Sequence, residues 1–150
     1  VDLDCSVKEK TTIAIVSEPK EKIAEYVLAS INSTSVPSDL FRYTAIAVIK
    51  NGVIQAGILY ERFTGESIEI HIGANPNKRW LTKSFLHAWF HYPFVQLGVN
   101  RITANIASKN TTAIKMAEHL GFIKEGVIRE AMDGDDLIAY GMLKNECRFI

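Results

Sequence analysis

Glu69 and His71 are the residues of this 150-residue chain whose types and spacing most directly offer acid–base chemistry. They lie two apart in the run Ser67 to Gly73, alternating with Ile68, Ile70 and Ile72. Successive side chains of a strand point to opposite faces. The three isoleucines therefore make a core face, and the carboxylate and the imidazole share the other. An unperturbed imidazole titrates near neutral pH, and either group could take a proton directly or through a water. A half-solvated strand with no chemistry shows the same alternation, so the residues alone leave both readings open. A second feature is basic. Lys78, Arg79 and Lys83 surround the start of a helical stretch, where free backbone amides attract an anion and cationic side chains add charge-assisted contacts to phosphate. The alternative is a basic helix entry with Trp80 covering the core.

Other reactive types are thinly spread. His87 and His91 form an i,i+4 pair with no third ligand in the pattern, so no metal site is expected. Cys5 and Cys147 are too far apart for a C-x-x-C unit and read as two free thiols, with a bridge joining the termini as the alternative. No Ser-His-Asp or Cys-His arrangement suggests a covalent nucleophile.

The elements that must position these groups follow from periodicity. Thr12 to Val16 is a strand, and Ser17-Glu18-Pro19 starts a helix carrying Ile23, Val27, Leu28 and Ile31. Asn32 to Asp39 is a loop or a broken second helix. Tyr43 to Ile49 and Val53 to Glu61 form a hairpin about Asn51-Gly52, and Ser67 to Gly73 is the third strand in succession. Leu81, Phe85, Ala88, Trp89 and Tyr92 recur at helical spacing up to Pro93, where the helix must kink or end. Six of the 14 aromatic residues fall between Trp80 and Phe94, which marks this helix as the main packing element. Arg101 to Ala107 is a strand. A short helix with Ala113, Met116, Ala117 and Leu120 on one face ends at Gly121, and the strands Val127 to Met132 and Leu137 to Leu143 close the chain.

Composition bounds the rest. The chain is 47% apolar, and its 17 basic and 17 acidic side chains cancel. That fits one domain spanning residues 1–150, large enough to fold without a disulfide or a structural metal. Zero net charge argues against general nucleic-acid binding and against an anionic membrane surface. No window approaches the roughly 20 apolar residues of a membrane span, and Val1 to Lys10 lacks a secretion-signal layout, so a cytoplasmic location is expected. The apolar tail Cys147 to Ile150 is expected to cover an edge strand or to join a partner.

A family resemblance enters on the second half of the chain. The run Phe94 to Leu97, Gly98, Arg101-Ile102, Ala104, Ile106, Asn110, Ala113, Leu120-Gly121-Phe122, Glu125-Gly126 and Arg129, followed by Asp136, Tyr140 and Met142-Leu143, resembles the GCN5-related N-acetyltransferases. The similarity is greatest to the branch that acetylates ribosomal proteins. The segment Lys78 to Gln96 also looks like that of small bacteriophage-encoded members. The resemblance implies an α+β domain with a mixed, mostly antiparallel sheet of about seven strands and three to four helices. It implies an acetyl-CoA-dependent transfer of an acetyl group to a primary amine, on a protein N-terminus, a lysine or a small molecule, by direct attack in a ternary complex. A homodimer is common among such domains.

Site residues follow by the same resemblance. The family's base often sits on the fourth strand, which gives Glu69 or His71 that role. The pantetheine arm and pyrophosphate would lie along Ile72, Gly73, Ala74, Lys78, Arg79, Trp80, Leu81 and Thr82, with Asn110 as a further cofactor contact as well as a helix cap. Two departures stand out. The glycines of the family's pyrophosphate loop are replaced, with Pro76, Arg79 and Leu81 at the positions of its arginine or glutamine, first glycine and last small residue. The family's acidic tyrosine is Ala117 here, leaving water or Tyr140 from a neighbouring strand to protonate the departing thiolate. A protein that keeps the fold as a binding or structural module without catalysis is the alternative function.

Overall fold

A computed structural model describes residues 11–31, 42–76 and 79–150. Its elements are β1 (Ile13–Val16), α1 (Lys20–Ser30), β2 (Thr44–Lys50), β3 (Val53–Glu61), β4 (Ser67–Ala74), α2 (Lys83–His91), β5 (Arg101–Ala107), α3 (Thr111–Leu120), β6 (Ile123–Met132) and β7 (Asp135–Leu143). The seven strands form one sheet in the order β1-β2-β3-β4-β5-β7-β6. Every neighbouring pair is antiparallel except β4 and β5, which the crossover through α2 makes parallel. The expected α+β architecture is the observed one, with three α-helices among the described residues. The segment 32–39 and Cys5 lie outside them. No helix among the described residues is long and apolar enough to cross a membrane.

Local signals act as their chemistry dictates. Asn51 and Gly52 both adopt left-handed backbone (φ 50° and 78°), the requirement of a two-residue hairpin turn, and they join β2 to β3. Gly121 ends α3 at φ 105°, and the Phe122 amide turns back to the Ala117 carbonyl at 2.9 Å.

As expected, the α-helix ends beside Pro93, at His91, and the chain continues as a π-helical turn, Tyr92–Gln96. Proline has no amide to give the carbonyl four residues back, which is that of Trp89, and its ring crowds it. The Tyr60 hydroxyl fills the vacancy, donating to the Trp89 carbonyl at 2.7 Å. Ring contacts continue across the turn, from buried Phe85 through Trp89 and Phe90 to Phe94.

Two cores flank the sheet. α1 lays Ile23, Ala24 and Val27 over Ala45, Ala47 and Leu59 on one face. α2 and α3 cover Ile58, Ile68, Ile70 and Ile102 on the other. The apolar tail, expected to cover an edge strand or to join a partner, packs on helices among the described residues. Phe149 stacks on Phe90 (centroids 4.9 Å apart), and Arg148 donates to the carbonyls of His119 (2.7 Å) and Leu120 (3.3 Å), binding the tail across α2 and the C-terminal end of α3.

Candidate functional site

The site begins where the sheet opens. β4 and β5 pair only through Ser67–Arg101, Ile68–Ile102 and Glu69–Thr103, after which both strands run on without pairing to each other. The Asn75 amide donates to Gln55 of β3 at 2.9 Å. Because amide direction alternates along a strand, the Gly73 amide also faces β3, whereas those of Ile72 and Ala74 face the opening. A cleft of about 390 Å³ reaches both faces of the sheet here. On the α1 face its wall is Leu28, Leu59, Glu61, Glu69 and His71. On the other it is Ile72, Ile106, Asn110, Ala113, Met116 and Ala117.

The acid–base groups stand on the α1 face. Register places Glu61 directly across from Glu69 and Leu59 across from His71. The His71 Nε2 atom lies 2.8 Å from Glu61 Oε1, with the Glu61 side chain 8% exposed. Arg62, in left-handed backbone at the end of β3 (φ 54°), donates to Glu69 Oε2 at 2.9 Å. One donor atom from each of Glu61, Glu69 and His71 falls within a 4.8 Å span. Such a set would suit a divalent cation, but the Arg62 guanidinium already brings positive charge to Glu69. Expected as a pair, Glu69 and His71 are thus brought together with a third member, Glu61, that sequence reasoning missed. The signal that could have found it is the turn. Pairing symmetric about Gly65 sets residue 61 against residue 69, but this needs the register, and periodicity within one strand does not contain it.

The remaining candidates divide. Asn110 lines the cleft and also caps α3, its Oδ1 accepting from the Ala113 amide at 3.2 Å, so both of its expected roles are geometrically available. Ile72 lines the cleft. Gly73 lies under α1, where an added Cβ would come within 2.8 Å of the Val27 Cα and the Ser30 Cβ. Thr82 caps α2, accepting from the Phe85 amide at 3.2 Å. That leaves the first-turn amides of Lys83 and Ser84 without helical acceptors. Arg79 and Leu81 are exposed beside this helix start, and Trp80 packs edge-on against Phe85 with centroids 6.0 Å apart. Arg79, Trp80, Leu81 and Thr82 do not line the cleft. Lys78 lies outside the described residues.

Tyr140 is set apart from the cleft. Pairing with Ala104 turns it toward α3, where its hydroxyl donates to Glu118 Oε1 at 2.8 Å and burial pushes its pKa above the usual tyrosine value. Ala117 does line the cleft, as a bare apolar wall. Trp89 lines it too, and its buried indole N–H has no acceptor among the described residues, a donor that a ligand oxygen or a water would satisfy.

Three comparisons bear on this geometry. Residues 46–137 match the family described as "Acetyltransferase (GNAT) domain". The chain is 27% identical to "Putative ribosomal N-acetyltransferase YdaF" of Bacillus subtilis (strain 168), over 95% of this chain and 96% of that protein. Among solved structures, the N152L mutant of the spermidine N-acetyltransferase SpeG from Vibrio cholerae superposes with a TM-score of 0.70 at 14% identity, covering 89% of this chain and 94% of that one. A dodecameric structure of the Vibrio cholerae spermidine N-acetyltransferase gives the same values.

Proposed function

The chain belongs to the GNAT family of N-acetyltransferases, and on that premise we propose that it transfers an acetyl group from acetyl-CoA directly to a primary amine. The observation that carries the reading is the opening between β4 and β5. It exposes the strand-facing amide of Ile72 to a cleft that reaches both faces of the sheet, and that of Ala74, outside the cleft wall, points the same way. A cofactor arm entering on the α3 face would meet those amides as a missing strand would. Asn110 and the orphaned Trp89 N–H offer further polar contacts in the same cleft. The first-turn amides of α2, with Arg79 beside them, suit an anionic pyrophosphate. These residues fit acetyl-CoA, which when bound supplies an activated acyl thioester.

The acceptor enters on the α1 face. There Glu69 and His71 are placed to take a proton from an incoming ammonium, since an amine is a nucleophile only when neutral. Glu61 and Glu69 favour a cationic acceptor over an acidic one, in keeping with the spermidine and ribosomal acceptors named for relatives. With the Tyr140 hydroxyl committed to Glu118 and alanine at position 117, water is left to protonate the departing thiolate. A cytoplasmic setting and self-association belong to the same reading. For the latter, exposed Ile123, Val127 and Ile128 on the edge strand β6 offer an apolar surface.

Thermal unfolding with and without acetyl-CoA tests the reading. Cofactor at about 100 times its Kd should add about 2.7 kcal/mol of stability, and thiol release should then depend on an added amine. No shift at millimolar cofactor would end the enzyme reading and leave the fold as a binding or structural module.

A further inference from the structure

We propose that Glu61 is a positioning residue that fixes the tautomer of His71, so that His71 Nδ1, and not Glu69, takes the proton of the acceptor. The inference rests on the acetyl-transfer reading above. A carboxylate can only accept a hydrogen bond. The 2.8 Å contact between Glu61 Oε1 and His71 Nε2 therefore places the ring proton on Nε2. In a neutral imidazole the other nitrogen is then the free acceptor.

Burial makes the arrangement hold. Glu61 sits on the α1 face with its side chain 8% exposed, where an ionised carboxylate must be paired. It reaches His71 diagonally, from one position along the ladder on the same face. Glu69 is held differently, one oxygen committed to the Arg62 guanidinium. Among the described residues, the charged and titratable groups set against the imidazole are Glu61, Glu69 and Arg62. Of these, Glu61 is the one in direct contact with the ring.

The proton transfer balances simply. An N–H bond of the acceptor ammonium breaks, its electron pair stays on the amine nitrogen, and a bond forms from the proton to His71 Nδ1. The ring becomes an imidazolium whose Nε2 proton stays on Nε2, facing the Glu61 carboxylate. That fixed negative charge stabilises the imidazolium without moving a second proton. Nδ1 afterwards returns its proton to water.

Nitrogen-15 spectra of the imidazole, with acetylation kinetics on the full chain, test the proposal. Neutral wild-type protein should show the Nε2–H tautomer, and Glu61→Ala should lose that preference. Glu61→Ala should lower kcat by about 10- to 100-fold while the stabilisation by acetyl-CoA stays unchanged. Glu61→Gln keeps an oxygen acceptor, so it should keep the tautomer and retain an intermediate rate. It decides the matter if the alanine variant fails to fold. Adding Glu61→Ala to His71→Ala should cost nothing further, because the two act as one unit. Glu69→Gln should lower kcat less than His71→Ala does, because the Glu69 carboxylate is held by Arg62 while His71 takes the proton. An unchanged tautomer, a His71→Ala enzyme with wild-type kcat, or a loss confined to Glu69→Gln would overturn the proposal. Failure of the parent reading looks different, with no thermal shift and no acetylation by the wild-type protein, whatever the spectra show.

Discussion

Replacing Gly73 with alanine should unseat α1 from the sheet. The two glycines under this helix are cross-strand partners, Gly57 on β3 and Gly73 on β4. Their surroundings differ in what can yield. A Cβ at Gly57 would meet the methyl Cγ2 atoms of Val27 at 2.9 Å and Ile23 at 3.0 Å, side-chain atoms of β-branched residues with stiff rotamers. A Cβ at Gly73 would meet the Ser30 Cβ and the Val27 Cα at 2.8 Å, and the Val27 carbonyl oxygen at 3.0 Å. Those atoms move only if the helix does, and ordinary contact begins near 3.4 Å, so α1 must retreat by more than half an ångström. Overpacking of this kind costs about 1–3 kcal/mol, and a backbone obstacle belongs at the upper end. The reduced freedom of the unfolded chain returns about 0.4–1 kcal/mol. The net loss of about 2 kcal/mol should lower Tm by roughly 4–8 °C for a domain of this size. Gly57→Ala should lose less than Gly73→Ala, toward about 1 kcal/mol, because its obstacles are side-chain atoms and not the helix backbone. Circular-dichroism melts of both variants read the difference. Equal destabilisation would refute the reasoning. So would an unchanged Tm for Gly73→Ala accompanied by weaker acetyl-CoA binding, which would make Gly73 a cofactor contact and not the seat of the helix. The retreat should also reach the cleft, since Leu28 on α1 and Ile31 just beyond it are part of its wall.

Further outcomes follow from single contacts. Tyr140→Phe should cost about 1 kcal/mol for the hydrogen bond to Glu118 and leave kcat unchanged; a large fall in kcat would return Tyr140 to the chemistry. Asn110→Ala should lose about 1 kcal/mol of cap energy, and weaker acetyl-CoA binding in the same variant would add the cofactor role that its place in the cleft suggests. The Arg101 guanidinium hydrogen-bonds Glu125 and holds its carboxyl below the usual range, over the backbone of Gly141. A depressed carboxyl stabilises the fold above its unfolded pKa and loses that contribution as pH falls through the folded value. The advantage of wild type over Glu125→Gln, at most about 1 kcal/mol for so exposed a pair, should therefore shrink toward zero in acid melts. An advantage that grows on acidification would reverse the assignment.

Much of the fold was legible because its signals are local. Alternation of Ile68, Ile70 and Ile72 with Glu69 and His71 defines a strand and both its faces within a few residues, and Asn51-Gly52 and Gly121 punctuate by backbone geometry alone. Pro93 likewise marks the end of the α-helix, but not what pairs the carbonyl it abandons: Tyr60, 33 residues earlier in the chain, supplies that partner. Where the tail packs within the chain was not legible for a similar reason. Its apolar residues could have covered any exposed surface, and stacking on Phe90, with Arg148 at the end of α3, decided which one.

For the site, residue types and strand periodicity were enough to select Glu69 and His71, whereas Ile72 and Asn110 entered as cofactor contacts through the family resemblance. Three things only the tertiary structure decided: that Glu61 stands behind His71, that Gly73 carries a helix, and that β4 leaves β5 after Glu69. The physical reason is common to all three. Which residues face one another across two strands, and where two strands part, depend on register and on packing between segments far apart in the chain. A pattern that repeats every two residues within one strand carries no information about either.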